Sequence, residues 1–133
     1  MENRGEIRDL PAVIVIVADD AAVRDSLKFA LEIDGFAIRT YADDSELLND
    51  SKLNDCACLI IDQNMPGRMA LDVLAKLRDR HMTTPTILIT SHPTAEQRKR
   101  ASRASAVIVE KPLFGNTLIE SIRAAIATRP KTS

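Results

Sequence analysis

Five residues in this sequence combine reactive chemistry with a position directly at the end of an apolar stretch. Asp19 and Asp20 follow one apolar run, and Asp62 closes a second run within LIIDQNMPG. Thr90 closes a third run within ILITSH, and Lys111 follows a fourth within VIVEKPL. Carboxylates crowded at such positions repel each other unless a cation or a helix N-terminus absorbs their charge. Together the five residues form a candidate site.

The residue types in this set are suited to phosphoryl chemistry assisted by a metal ion. Carboxylate oxygens suit Mg²⁺, which binds through one or two carboxylates and keeps several waters. A carboxylate beside such an ion can attack phosphorus and hold an acyl phosphate. A lysine and a hydroxyl opposite that carboxylate would bind the other phosphoryl oxygens. Each residue type is common alone, so the prediction depends on the fold bringing all of them together.

The elements that must position these residues are visible in the hydrophobic pattern. Five apolar runs recur, and each is followed by a stretch with helical periodicity. The runs are AVIVIV (12–17), FAIRTY (36–41), CACLII (56–61), TILIT (86–90) and AVIV (106–109). Only the second run alternates, and the continuous ones are typical of parallel strands covered by helices on both faces. We predict an α/β fold, a (βα)5 doubly wound, flavodoxin-like parallel sheet of five strands in the order 2-1-3-4-5.

This fold would gather the polar residues at one place, because ligands of such sheets bind beside the carboxyl ends of the strands. Gly35 is expected to end the first helix. The stretch 95–103, after the fourth strand, has the weakest apolar face of the helical segments. We assign 11–128 to a single domain, 1–10 to an N-terminal tail and 129–133 to a C-terminal tail.

Composition narrows the classes of function. The 133 residues carry a formal net charge of -1, which does not favour nucleic acid or an anionic membrane as a partner. The apolar runs are too short to span a membrane, and MENRGEIRDLP lacks the apolar region of a signal peptide. We therefore expect a cytoplasmic protein. Cys56 and Cys58 are interpreted as small buried residues of one strand, with side chains that point the same way.

The motifs around the candidate site resemble those of the receiver domain of two-component response regulators, especially its FixJ-like branch. The resemblance covers essentially the whole chain through DDAAVRDSL, DQNMPG, ITSH and EKPL. It implies that Asp62 accepts phosphate from a histidine kinase or a histidine phosphotransfer protein. It also implies that Thr90 re-orients toward the phosphoryl group and that Lys111 is the family's strand-five lysine. Mg²⁺ is the implied cofactor, held by Asp19, Asp62 and the backbone carbonyl of Asn64.

The acidic pair of the family is incomplete in this chain. The family places it at the sixth and fifth positions before the first-helix arginine, here Arg24, and a gapless count gives Ala18 and Asp19. On this count Asp19 is the direct Mg²⁺ ligand, and Asp20 caps the first helix. A slip of one residue would instead restore the pair as Asp19 and Asp20, with Asp20 as a further metal ligand.

Two other positions depart from the family's pattern. Ile108 stands where an aromatic switch residue is usual, and Ala70 stands where the turn after DQNMPG has a glycine. Together with Ala18, Ile108 motivates an alternative, a degenerate receiver that acts as a protein-interaction module without phosphorylation. An enzyme of the hydrolase class with Asp62 as nucleophile is a second alternative, although the sequence supplies no positioned base. We expect a phospho-acceptor signalling domain, not an enzyme, that acts as a single-domain regulator.

The partners implied by the resemblance are proteins. They are the phosphate donor, an unknown downstream protein and, for a homodimer, a second copy of the chain. The basic residues of segment 95–103 are interpreted as a solvated helix face or as a docking surface for an acidic partner. They are Arg98, Lys99, Arg100 and Arg103.

Overall fold

A computed structural model of the chain describes residues 12–49, 55–63, 70–113 and 117–128. Strands and helices alternate along the chain. The strands are β1 (Val13–Val17), β2 (Ala37–Tyr41), β3 (Cys58–Asp62), β4 (Thr86–Thr90) and β5 (Ala106–Glu110). The helices are α1 (Ala21–Ile33), α2 (Asp44–Leu48), α3 (Ala70–Asp79), α4 (Ala95–Arg103) and α5 (Thr117–Thr128).

The five strands form one parallel sheet in the order β2-β1-β3-β4-β5. The predicted fold and strand order are therefore confirmed. After β2 the chain crosses to the other side of β1, so β1 and β3 are neighbours at the point where the direction of winding reverses. Since all strands are parallel, their carboxyl ends meet at one edge of the sheet, and this edge carries the candidate site.

The hydrophobic core has two parts, one on each face of the sheet. On one face, alternate strand residues pack against Leu47 of α2, Leu74 of α3 and Ala101 of α4. On the other face, the intervening strand residues pack against Leu31 of α1 and Ile122 of α5. Both sides of the central strands are thus covered by helices, which explains why their sequences are continuously apolar.

Helix α1 ends at the glycine that the sequence indicates. The Gly35 N–H donates to the carbonyl of Glu32, and the Phe36 N–H donates to the carbonyl of Leu31. This hydrogen-bond pattern requires a left-handed residue after the helix, and Gly35 has a φ of 99°. The prediction that Gly35 terminates the first helix is confirmed.

The expectation for the two cysteines was only partly right. Strand β3 begins at Cys58 rather than at Cys56, because Ala57 forms a bend before it. Both cysteines are buried as expected, but Cys56 belongs to the core on the α2, α3 and α4 face and Cys58 to the core on the opposite face. The expectation that they point the same way is wrong. Burial raises the pKa of the Cys58 thiol to about 12.

Helix α4 forms despite its weak apolar face, because its ends are well satisfied. The Thr94 hydroxyl accepts from the Gln97 N–H at 3.0 Å, and the Gln97 side chain accepts from the Thr94 N–H at 2.9 Å. This reciprocal pair is a capping box. Glu96 in the first turn complements the helix dipole, as do Arg100 and Arg103 in the last turn.

Some predictions fall on residues outside the described ranges. These are the tails 1–10 and 129–133 and the metal-binding carbonyl of Asn64, and they stay predictions, as do the domain limits at 11 and 128. In the part of the chain that the structure describes, no helix has the length and apolar character needed to cross a membrane.

Candidate functional site

The centre of the site is a direct contact between Asp62 and Lys111. Asp62 is the last residue of β3 and is 5% exposed, and Lys111 directly follows β5. The Lys111 Nζ lies 3.1 Å from Oδ1 and 3.2 Å from Oδ2 of Asp62. Because β4 lies between β3 and β5, the lysine side chain reaches across the end of β4.

Thr90 is the last residue of that intervening strand, β4. Its side chain is almost fully buried, and its hydroxyl donates to the Ser91 carbonyl over 3.4 Å, which is long for an O–H···O bond. The Lys111 N–H donates to the Thr90 carbonyl at 2.9 Å, and the Gln63 N–H donates to the Ile89 carbonyl at 2.8 Å. The sheet ladder therefore continues past these strand ends and holds the backbone next to all three side chains.

The two acidic residues after β1 have different surroundings. Asp20 is the N-cap of α1, and its Oδ1 accepts from the Ala22 N–H at 2.8 Å and from the Val23 N–H at 3.4 Å. The interpretation of Asp20 as a helix cap is confirmed. Asp19 is exposed at the carboxyl end of β1. The proposed metal-binding role of Asp19, and the further one of Asp20, stay predictions.

Ala18 occupies the position between β1 and these acidic residues. It is fully buried, and its N–H donates to the Tyr41 carbonyl at 3.2 Å, so it extends the pairing of β1 with β2. The side chain that the gapless count puts in place of the family's first acid thus lies inside the protein.

Arg24 makes a contact with this loop that sequence reasoning missed. Its Nη1 donates to the Ala18 carbonyl at 2.7 Å and to the Asp19 carbonyl at 3.0 Å. From the sequence, Arg24 is used only as the reference position from which the acidic positions are counted. The signal that was present is its spacing, since a long cationic side chain in the first turn of a helix can reach back to the loop that enters it.

The charges and donor atoms of the site fit Mg²⁺. A nearly buried carboxylate is costly unless it is paired, and Lys111 supplies an opposite charge to Asp62. Asp19 adds a second carboxylate after the neighbouring strand, since Val17 of β1 is paired with Ile61 of β3. Mg²⁺ needs only one or two protein carboxylates. No three His, Cys, Asp or Glu side chains cluster as metal ligands within the described ranges, and the predicted set does not require three.

Ion pairs link helix α4 to β5, the strand that precedes Lys111, and to α3. The Arg98 Nη2 lies 2.8 Å from Oε2 of Glu110, the last residue of β5, and the Arg100 Nη2 lies 2.9 Å from Oδ1 of Asp72 on α3. Among the described residues, two of the four basic residues of α4 therefore have acidic partners. Ile108, the residue at the aromatic position, is half-buried and packs against the core on the α2, α3 and α4 face.

Comparison with known sequences agrees with this fold and this arrangement of residues. A sequence model described as the response regulator receiver domain matches residues 14–123. The chain belongs to this family, a class of signalling domains in two-component systems.

Several curated relatives are individually similar. The chain is 33% identical over 124 residues to the response regulator protein TodT of Pseudomonas putida, covering 92% of this chain and 55% of TodT. It is 36% identical over 116 residues to the C4-dicarboxylate transport transcriptional regulatory protein DctR of Rhodobacter capsulatus, covering 84% and 58%. With the transcriptional regulatory protein FixJ of Bradyrhizobium diazoefficiens, it shares 30% identity over 114 residues, covering 85% and 56%. The chain thus spans about half the length of the curated relatives it matches.

Solved structures show the same fold. The crystal structure of FixJ-N superposes with a TM-score of 0.79 at 29% identity, covering 91% of this chain and 98% of that structure. The chemotaxis protein CheY4 of Vibrio cholerae also superposes with a TM-score of 0.79, at 22% identity, covering 86% of this chain and 98% of CheY4.

Proposed function

We propose that this chain is a phospho-acceptor receiver in which Asp62 takes a phosphoryl group from a histidine kinase or a histidine phosphotransfer protein. The observation that carries the proposal is the contact of the nearly buried Asp62 carboxylate with the Lys111 ammonium at the carboxyl edge of the sheet. A carboxylate held beside an ammonium, with a hydroxyl at the end of the neighbouring strand, is equipped to receive a phosphoryl group and bind its oxygens.

The transfer exchanges one bond to phosphorus for another. An Asp62 carboxylate oxygen attacks the phosphorus of the donor's phosphohistidine, and the O–P bond forms as the P–N bond breaks. The electron pair of the broken bond remains on the imidazole nitrogen, and Asp62 becomes an acyl phosphate. Lys111 then donates to one phosphoryl oxygen, and the Thr90 hydroxyl leaves its long bond to Ser91 to donate to another.

Magnesium is part of this proposal. Asp19, Asp62 and the backbone carbonyl of Asn64 would hold Mg²⁺, which would neutralise negative charge on the phosphoryl oxygens during transfer. The requirement for a divalent ion follows from the charges, since Lys111 alone offsets only the carboxylate of Asp62.

The output of the proposed transfer is a changed protein surface. Movement of Thr90 and Lys111 toward the phosphoryl group shifts a two-state equilibrium, and a downstream protein reads the result. The proposed function includes neither turnover of a diffusible substrate nor binding of nucleic acid. We propose that the protein acts in the cytoplasm.

The proposal is tested by incubating the chain with acetyl phosphate and measuring its intact mass, with and without Mg²⁺. The expected result is a gain of one phosphoryl group that requires Mg²⁺ and is absent in Asp62→Asn. Asp72→Asn is the matched control, since it removes an exposed aspartate of α3 and should leave the gain intact.

A second candidate function is favoured by two observations. Ala18 is buried where the family has an acid, and Ile108 is aliphatic where the family has an aromatic ring. A degenerate receiver would bind its partner equally well as the unmodified chain and as Asp62→Asn. No mass gain with either acetyl phosphate or a phosphorylated histidine donor would overturn phosphorylation and leave this alternative.

A further inference from the structure

Arg24 donates hydrogen bonds to each carbonyl group of the loop that carries Asp19. The Arg24 Nη1 donates to the carbonyls of Ala18 and Asp19, at 2.7 and 3.0 Å. The Arg24 N–H donates to the carbonyl of Asp20 at 3.0 Å. Three successive carbonyl groups, from the end of β1 to the N-cap of α1, therefore accept hydrogen bonds from the same arginine.

These bonds determine the direction in which the Asp19 side chain leaves the backbone. The Ala18 carbonyl belongs to the peptide unit before the Asp19 Cα atom, and the Asp19 carbonyl belongs to the unit after it. When both peptide units are held, the two backbone dihedral angles of Asp19 are restricted, and so is the direction of its Cα–Cβ bond. The Asp19 side chain is exposed, so this backbone anchoring restrains the direction of its Cα–Cβ bond but not its side-chain rotamer.

The positive charge of the Arg24 guanidinium has an effect on metal binding opposite to that of its hydrogen bonds. A fixed cation close to a metal site repels Mg²⁺, so the charge of Arg24 alone would weaken metal binding. The hydrogen bonds to carbonyls that flank a ligand orient that ligand and would strengthen metal binding. If the charge dominates, removal of the Arg24 side chain raises the Mg²⁺ affinity, and if the hydrogen bonds dominate, it lowers the affinity. A measured Kd for Mg²⁺ distinguishes the two effects.

We propose that Arg24 is a positioning residue for Mg²⁺ binding, which acts through the backbone of the ligand Asp19. The inference rests on the proposed function, because it takes Asp19 as a metal ligand. Arg24 touches neither the metal nor the phosphoryl group in this scheme. It aligns the exposed carboxylate of Asp19 with the nearly buried carboxylate of Asp62 before the ion arrives, and so lowers the cost of ordering the site.

The test is a calorimetric titration of Mg²⁺ into the unmodified chain, Arg24→Met, Arg24→Lys and Lys28→Met. Arg24→Met removes the side-chain donors and the charge, and its Kd for Mg²⁺ is expected to rise by about tenfold or more. Arg24→Lys keeps the repelling charge and loses the planar fork that donates to both carbonyls, so its Kd is also expected to rise above that of the unmodified chain. Lys28→Met, one turn further along α1, removes an exposed cation that does not contact the loop and should leave the Kd unchanged.

A second readout separates positioning from a general loss of structure. The rate of phosphorylation by acetyl phosphate at saturating Mg²⁺ is expected to stay close to that of the unmodified chain, while the Mg²⁺ concentration needed for half the rate increases. Circular dichroism confirms that each variant is folded. If Arg24→Met does not fold, Arg24→Gln, which is neutral and too short to span both carbonyls, replaces it with the same expectation.

The outcomes distinguish this inference from the proposed function. If the unmodified chain binds no Mg²⁺, the metal-dependent function itself is overturned. If the unmodified chain binds Mg²⁺ and folded Arg24→Met or Arg24→Gln binds it equally well or more tightly, only the role of Arg24 is overturned. A tighter Kd would mean that the charge of Arg24 outweighs its hydrogen bonds.

Discussion

On the gapless count, Ala18 differs from the family's acidic residue in both charge and size, and it has no contact with solvent. Its N–H extends the pairing of β1 with β2, and its carbonyl accepts from Arg24. The backbone at this position is therefore already used by the sheet and by α1. A larger side chain at this position would have to be accommodated at the carboxyl edge of the sheet. Asp19, which follows β1, and Asp62, which ends β3, lie at the same edge.

We expect Ala18→Asp to bind Mg²⁺ more tightly and to be less stable without it. A second carboxylate beside Asp19 should lower the Kd by roughly tenfold, as is typical of carboxylates that support a metal site. Enlarging a fully buried position should lower the free energy of unfolding by about 1–3 kcal/mol in the absence of the metal. Calorimetry and urea denaturation measure the two effects.

Ala18→Asn is the matched control, because it has nearly the same shape without the charge. It should show the loss of stability but not the gain in affinity. Equal Kd values for Ala18→Asp and Ala18→Asn would contradict the prediction.

At the scale of residues, the sequence predicts which side chains gather but not all of their contacts. Asp62, Thr90 and Lys111 could be chosen because each stands at the end of an apolar run, and parallel strands bring such ends together. Asp20 could be separated from Asp19 by counting back from Arg24, because helix caps occupy a defined position. The position of Arg24 in the first turn of α1 puts the loop within reach of its side chain, but the particular contact could not be predicted, because the rotamer of a long side chain depends on packing.

At the scale of elements, α4 shows how local capping compensates for a weak apolar face. Among its nine residues only Ala101 is buried, so packing contributes little to this helix. The pattern of Thr94 followed three residues later by Gln97 is a sequence signature of a helix start. Hydrophobic periodicity alone undervalues such a helix, because it ignores bonds at the helix ends and ion pairs with neighbouring elements.

We expect Thr94→Ala to lower the free energy of unfolding by about 1 kcal/mol, because the N–H of Gln97 loses its side-chain acceptor. The midpoint of urea denaturation measures this loss. Ser102→Ala is the matched control, since it removes an exposed hydroxyl from the same helix without affecting the cap. A loss as large in Ser102→Ala as in Thr94→Ala would contradict the assignment of the effect to capping.

The start of β3 shows a limit of predicting strand boundaries from the hydrophobic pattern. The run CACLII is apolar from Cys56 onward, and composition alone does not reveal that Ala57 bends before the strand begins. Alternation of side chains holds only within a strand, so one irregular residue reverses the expected face. The two thiols consequently lie in the cores on opposite faces of the sheet.

At the scale of the whole molecule, this burial makes the cysteines reporters of unfolding. The pKa of Cys58 is raised from 9.0 to about 12, so its thiol remains protonated and unreactive at neutral pH. We expect iodoacetamide to label the two cysteines together, only as fast as the protein unfolds, as measured by intact mass. Ser102→Cys supplies an exposed thiol that should react at once. Rapid labelling of Cys56 or Cys58 under native conditions would contradict their burial.

The raised pKa of Cys58 also determines how this thiol changes the stability of the folded protein with pH. As the pH rises above 9.0, the unfolded chain releases the Cys58 proton while the folded chain keeps it until about pH 12. The contribution of this group therefore lowers the stability of the folded protein as the pH rises through that interval.

The overall architecture could be predicted almost completely from the sequence. Continuous apolar runs of strand length indicate burial on both faces, and alternation with helices leaves few arrangements for the sheet. The order of the strands then determines which polar residues meet. The pattern that determines the fold carries no information about which phosphate donor and which downstream protein the proposed function would use.

The pairing of Asp62 with Lys111 has a consequence for the approach of the proposed phosphoryl donor. A phosphoryl group brings negative charge to the sheet edge, and a bare carboxylate would repel it. Before any transfer, however, the acceptor and its lysine form an electrically neutral pair. In the proposed reaction, the lysine that would bind the phosphoryl oxygens thus first reduces the electrostatic barrier to their arrival.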